Sequence, residues 1–233
     1  HSSGSNKPVE KISATEGSNN ASVDYFKIIV KGRGAHVSNP EKGIDALFVA
    51  SEIVVSAQAL VTRRTNPTDR VIIGIGKLEA GTAYNIVAKS AVLEGTIRVM
   101  YPEIRKQVKS KLESLAKGIA SIYGAEAEIE YKDFISPLIN PVDTTKEVAI
   151  VAKRLLGEEN VITNRPYSLG GDDFAEFNLR VPGTYVYVGS GNENNPNTMV
   201  AHRDGLFEID EDCLLIASRL HVAYALSFLA NLI

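Results

Sequence analysis

Lys31-Gly-Arg-Gly-Ala-His-Val-Ser-Asn-Pro40 is the junction on which the reading of this chain turns. Before it stands Tyr25-Phe-Lys-Ile-Ile-Val30, a strand by its β-branched and aromatic content, and a helical pattern begins near Gly43. Two glycines close together permit a positive φ or a bulge where the strand ends. His36 is therefore presented at a strand-to-helix junction, where loops on rigid scaffolds carry function. Spacing alone leaves open whether it is a solvated connector or a reactive group.

Working outward, Ile44, Leu47, Val54, Val55 and Leu60 recur at helical spacing up to about Arg63. After the turn Thr65-Asn-Pro-Thr-Asp come a glycine-weakened strand, Arg70–Gly76, the segment Gly81-Thr-Ala-Tyr-Asn-Ile-Val, and the strand Ala91–Met100. Pro102 opens a helix to about Tyr123, striped by Ile104, Val108, Leu112, Leu115 and Ile119. Glu126–Tyr131 alternates as a last strand. The order β-α-β-β-α-β is the split βαβ, ferredoxin-like sandwich, two helices on one face of an antiparallel sheet.

Asp133–Pro141 is extended, and Asp143 or Thr144 is expected to cap a helix that Gly157 stops after Leu156. A short strand at Val161 follows. In Gly170-Gly-Asp-Asp-Phe-Ala, Asp172 and Asp173 suit the N-cap and N1 positions of a helix. Thr184-Tyr-Val-Tyr-Val-Gly reads as a buried strand, 189–198 as a Gly/Asn loop, and Asp210 or Glu211 opens a last helix. With so few strands this α/β layer reads as half of a larger domain. At the other end, residues 1–22 are rich in Ser, Asn and Gly, with Val9–Ala14 a candidate edge strand and His1-Ser-Ser-Gly matching a tag remnant.

The 233 residues, 44% hydrophobic and 23% charged, have the composition of an ordinary globular protein. A net charge of −3 gives no footprint for nucleic acid, and no uninterrupted apolar run reaches the ~18 residues that cross a bilayer. One cysteine, Cys213, excludes an internal disulfide and fits a reducing, cytoplasmic setting; it is expected in or near a core. His221 lies inside the last helix and is expected to be structural. In the first sandwich Asn85 follows a turn and Arg98 closes a strand; an amide and a guanidinium fork are a usual pair for holding a carboxylate. An imidazole such as His36 donates well to a developing oxyanion.

Taken together, Gly32–His36 with Pro40, Gly81–Val87 with Gly95-Thr-Ile-Arg98, Gly170–Phe174 with Val181-Pro-Gly, and Ala201-His202 resemble, in order and interval, the metal-dependent aminoacylase and carboxypeptidase family of co-catalytic zinc exopeptidases. The N-acyl-amino-acid amidohydrolase branch is the nearest in pattern. The resemblance implies three parts: 1–23 as the tail of a catalytic domain or tag and linker, 24–131 as a lid and dimerisation domain, and 132–233 as the C-terminal part of an α/β catalytic domain. It further implies a homodimer in which His36 reaches the partner subunit's active site, Asn85 and Arg98 hold the substrate's terminal carboxylate, and His202 is a metal ligand. Two divalent ions, zinc foremost with manganese or cobalt as substitutes, would activate water for attack on the amide of an N-acyl amino acid or small peptide. Asp172 stands where the family carries Glu, and it and Asp173 would act behind the metal ligands.

The family's Cys-Gly-His-Asp-type segment and Glu-Glu pair are not in this chain; His1 stands near where the family's further histidine would fall, slightly far from the following strand, and reads either as that histidine or as a tag residue. The expectation is therefore a C-terminal fragment, inactive alone. A non-catalytic dimerisation or ligand-binding module is the alternative. Gly170-Gly-Asp-Asp-Phe also resembles a diguanylate cyclase signature, but the first strand lacks the acidic metal site which that chemistry needs.

Overall fold

The computed structural model describes residues 2–202 and 204–232; His1, read as a tag residue or as the family's further histidine, lies outside them. In chain order the elements are β1 (Ser2–Pro8), β2 (Ile12–Ser13), β3 (Gly17–Asn20), β4 (Val23–Lys31), β5 (Ala35–His36), α1 (Ala46–Arg63), β6 (Val71–Ala80), β7 (Ile86–Val87), β8 (Ser90–Val99), α2 (Pro102–Ile122), β9 (Glu126–Ile135), β10 (Leu138–Asn140), α3 (Val142–Leu156), β11 (Val161–Ile162), α4 (Phe174–Asn178), β12 (Tyr187–Gly191) and α5 (Asp212–Leu229). They form two compact units. One, the lid unit, is Asn20–Leu138 with Ser168–Asp173; the other joins the stretch ending at Asn19 to Ile139–Tyr167 and Phe174 onward. The lid unit thus extends beyond the boundaries at 24 and 131 drawn from sequence, and it takes in Ser168, whose carbonyl accepts from Ala21 N–H at 3.1 Å.

The lid unit is an antiparallel sheet in the order β6-β8-β4-β9. Alternation along β4 turns Phe26, Ile28 and Val30 to one face, where they meet Leu93, Ile97 and Val99 of β8 beneath α1 and α2. Burying that face drives the unit's folding, at ~25 cal/mol per Å² of apolar surface. α1 starts at Ala46, later than the expected Gly43, because the Asp45 carboxylate accepts from the backbone N–H of Leu47 and Phe48. Its buried face is Ala46, Val49, Ala50, Ile53, Ala57 and Leu60. Of the expected stripe Leu60 is buried and Ile44 and Val54 partly so, whereas Leu47 and Val55 are exposed. Alanines bring the helix axis close to the sheet, so small residues outrank larger ones on the packed side. β9 continues past the expected end at Tyr131 because β4 pairs with it from Lys31↔Glu126 to Val23↔Ile135.

In the second unit the sheet order is β1-β12-β2-β11. Ile12–Ser13 pairs with β12 on one side and β11 on the other, so the expected edge strand is interior. Ser2–Pro8, within the stretch read from sequence as the tail of a catalytic domain or as tag and linker, runs parallel to β12. Pro141, rather than Asp143 or Thr144, occupies the N-cap of α3. β12 begins at Tyr187 instead of Thr184, since the buried Asn140 side chain bonds both Tyr185 N–H and Tyr185 O at 2.9 Å in place of a strand neighbour. The core gathers Ile12, Val148, Val151, Val161, Val188, Leu220 and the buried Cys213. By length and composition alone α1 and α5 are apolar enough to cross a membrane; α1 is packed on its sheet, and α5 sends Cys213 and Leu220 into this core.

Candidate functional site

The first candidate region lies just past the Lys31/Ser90 end of the β4–β8 ladder. β5 and β7 form a two-stranded ribbon there, pairing Ala35 with Val87 and His36 with Ile86, and Val37 N–H donates to Asn85 O at 3.1 Å. His36 and Asn85, far apart in sequence, thus stand side by side. Gly32 makes the approach possible: a Cβ there would lie 2.1 Å from Ile44 O.

The His36 ring is held from one side. Ser38 N–H donates to Nδ1 at 3.2 Å, and the Ser38 hydroxyl sits 2.7 Å from the same nitrogen while accepting from Asn39 Nδ2 at 3.0 Å. A backbone N–H can only donate, so Nδ1 is the unprotonated nitrogen of the neutral ring and Nε2 carries the hydrogen. His36 is exposed and Nε2–H has no partner among the described residues, which makes it an oriented donor. The half-buried Asn85 side chain likewise makes no hydrogen bond among them. The neighbouring residues Val37 and Ile86, but neither His36 nor Asn85, line an open hollow of about 500 Å³ with Leu47, Thr82 and Tyr84, the last 99% exposed.

Arg98 is elsewhere. It pairs with Ile72 near the far end of β8, next to Ile97↔Asp24. Ser90 to Arg98 is eight residues of strand, roughly 26 Å at about 3.3 Å per residue. Asn85 and Arg98, grouped from sequence as joint holders of a carboxylate, therefore do not converge within one chain. Arg98 is half-buried, its Nε–H donates to Thr96 Oγ1 at 3.2 Å, and its terminal nitrogens have no partner among the described residues. Below it lies an ion cluster: the fully buried Asp24 carboxylate takes Arg105 Nε and Nη2 (3.0 and 2.8 Å), Lys109 Nζ (2.7 Å) and Ser22 Oγ (3.0 Å).

In the second unit His202 occupies the exposed loop between β12 and α5, its ring 4.8 Å from that of Phe207. Asn192 to Asp210 (2.6 Å) and Asn195 to Glu208 (2.9 Å) brace that loop. Asp173 immediately precedes α4 with Asp172 before it, one position earlier than expected. Among the described residues no three His, Cys, Asp or Glu side chains come together as a metal site. His202 alone does not fit a two-metal centre, and the further ligands are not in this set. His221, expected to be structural, is exposed and lines a cavity of about 400 Å³ with Phe174, Tyr185 and Tyr224. Sequence reasoning missed Ser38 and Thr96, which orient the His36 and Arg98 side chains. The signal was available, since each stands two residues from the group it holds.

Residues 20–123 match the family model of the M20 peptidase dimerisation domain. The chain is 33% identical over 212 residues to N-acetylcysteine deacetylase of Bacillus subtilis (strain 168), an alignment covering 91% of the chain and 53% of the relative. It is 32% identical over 209 residues to thermostable carboxypeptidase 1 of Saccharolobus solfataricus, covering 89% and 52%. The crystal structure of Bacillus subtilis YXEP protein, described as a dinuclear metal binding peptidase, superposes with a TM-score of 0.78 at 28% identity, over 97% of this chain and 55% of that one. The chain spans about half the length of the curated relatives it matches.

Proposed function

The chain belongs to the M20 peptidase family, and on that premise we propose that the full-length protein hydrolyses the amide bond of N-acyl amino acids or small peptides with a metal-activated water, as a cytoplasmic homodimer. Two divalent ions, zinc foremost with manganese or cobalt as substitutes, would be completed by residues beyond this chain's own donor set, with His202 as one ligand and Asp172 and Asp173 behind the ligands. The fragment 1–233 is expected to be inactive by itself.

What supports a dimeric site is the separation of the candidate groups. His36 and Asn85 share one end of the lid sheet and Arg98 stands at the other. One substrate a few ångströms across is too small to touch both ends of one sheet. Two copies related by a two-fold axis remove the difficulty: each site takes His36 and Asn85 from one subunit and Arg98 from the other. In that site His36 Nε2–H donates to the tetrahedral oxyanion, the Asn85 amide holds the substrate beside it, and the Arg98 fork pairs with the terminal carboxylate. The test is to assay the full-length gene product, loaded with zinc or manganese, on N-acetyl amino acids. Release of the free amino acid is expected; a metal-loaded protein without hydrolysis, or a protein that binds no divalent metal, overturns the proposal.

A further inference from the structure

We infer that Thr96 is a positioning residue for Arg98: its hydroxyl, fixed by the Asp24 carbonyl, holds Arg98 Nε–H so that the guanidinium offers its Nη1/Nη2 edge to the substrate carboxylate. This rests on the carboxylate-binding role proposed for Arg98.

Donor and acceptor roles fix the arrangement. Thr96 Oγ1 donates its only hydrogen to Asp24 O at 2.8 Å. What it turns toward Arg98 is therefore a lone pair, and Nε–H occupies it at 3.2 Å. Thr96 and Arg98 lie two residues apart on β8, on the same face of the sheet, so the contact needs no distortion of the strand. An arginine can grip a carboxylate side-on, through Nε and Nη2, or end-on, through Nη1 and Nη2. With Nε engaged, the end-on fork remains.

The support beneath Thr96 is rigid. Asp24 is fully buried and its carboxylate is clamped by Arg105, Lys109 and Ser22, so the carbonyl that Thr96 reads stays in place. Just beyond Arg98, Ser22 N–H donates to Val99 O at 2.7 Å, and Val99 N–H donates to Ser22 Oγ at 3.3 Å. Arg98 is thus bracketed by two links to the 22–24 segment. Gly95 completes the arrangement, because a Cβ there would stand 2.4 Å from both Gly74 O and the Phe26 ring. In Gly95-Thr-Ile-Arg98, glycine lets the strands close, threonine relays the fixed carbonyl, and arginine presents the fork.

The experiment compares Thr96→Val, which keeps the branched shape, and Thr96→Ser, which keeps the hydroxyl, with Arg98→Ala in the full-length protein. Each is assayed on an N-acetyl amino acid and on the same compound with its carboxylate amidated. Thr96→Val is expected to raise KM for the acid about tenfold, the loss of one charge-assisted hydrogen bond, with kcat and the KM for the amide unchanged. Thr96→Ser is expected to stay near wild type. If Arg98→Ala weakens the acid selectively while Thr96→Val behaves as wild type, the relay is wrong and the Arg98 role stands. If Arg98→Ala does not distinguish acid from amide, both fall. Independently of activity, the Arg98 Nε–H resonance of labelled 1–233 is expected to exchange slowly in wild type and Thr96→Ser and rapidly in Thr96→Val; equal exchange in all three contradicts the relay.

Discussion

The two units of this chain use a helix layer on a sheet to different ends. In the lid unit both helices find their sheet: Val108 and Leu112 of α2, and the alanine face of α1, close over β4 and β8. In the second unit α5 buries Cys213 and Leu220, while Leu214, Leu215, Val222, Leu226 and Leu229 stay more than half exposed. The lid unit needs nothing more to complete its core. An apolar surface like that of α5 is one that other protein usually covers, and full-length M20 relatives are about twice as long as this chain. The difference bears on function, because the complete unit carries His36, Asn85 and Arg98 and the other carries a single metal-ligand candidate, His202.

The sharpest way to break the comparison is through the lid core. Phe26→Ala, at a fully buried position under the helices, is expected to cost ~3–5 kcal/mol in denaturant unfolding. Asp24→Ala removes the buried carboxylate that Arg105 and Lys109 share, leaving the exposed Asp133 as their only acidic partner among the described residues, and is expected to cost about 3 kcal/mol or more. Either variant within 1 kcal/mol of wild type would contradict a lid that stands by its own packing.

Titration offers one handle in each unit. In the lid, the hydrogen bond from the Lys109 ammonium, helped by its charge and that of Arg105, holds the Asp133 carboxyl below its ordinary value. A depressed carboxylate stabilises above its unfolded pKa, so lid probes are expected to lose stability as pH falls through the acid range. In the second unit, burial first and then the hydrogen bond to Glu147 push the Tyr224 hydroxyl up to about 12 from 10.0. The folded chain then keeps a proton that the unfolded chain gives up, so stability is lost between pH 10 and about 12. Tyr224→Phe should flatten that alkaline limb and leave the acid one. An alkaline limb unchanged in Tyr224→Phe would contradict the assignment.

The smallest effect sharpens the contrast most. Leu226→Gln in α5, at a side chain 64% exposed, is expected to change the stability of 1–233 by under ~0.5 kcal/mol. A loss of 2 kcal/mol would mean that this helix face is already covered, and the comparison would fail.

Much of the fold was legible because its signals are local. Alternation along Tyr25–Val30 and Pro102 at a helix start both read through directly. What stayed hidden depends on partners. The alanine face of α1 reflects the nearness of a sheet, and the strand at Ser2–Pro8 exists by pairing with β12 despite poor intrinsic propensity. β12 starts late because a side chain, Asn140, substitutes for a strand. In the candidate site the sequence suggested residues but could not show which of them stand together. Asn85 and Arg98 are near in sequence, but the ten-residue strand Ser90–Val99 that separates them is long enough to carry them apart. The nearness of Asn85 to His36 comes from the β5–β7 pairing, a long-range contact that strand length does not reveal.

That grouping is the central claim, and subunit complementation tests it. His36→Ala and Arg98→Ala homodimers of the full-length protein should both be nearly inactive. In the mixed dimer one site would receive both defects and the other neither, so about half of wild-type activity is expected from the two-fold arrangement. A mixed dimer as inactive as its parents would mean that His36 and Arg98 of one chain serve the same site, and the account would be wrong.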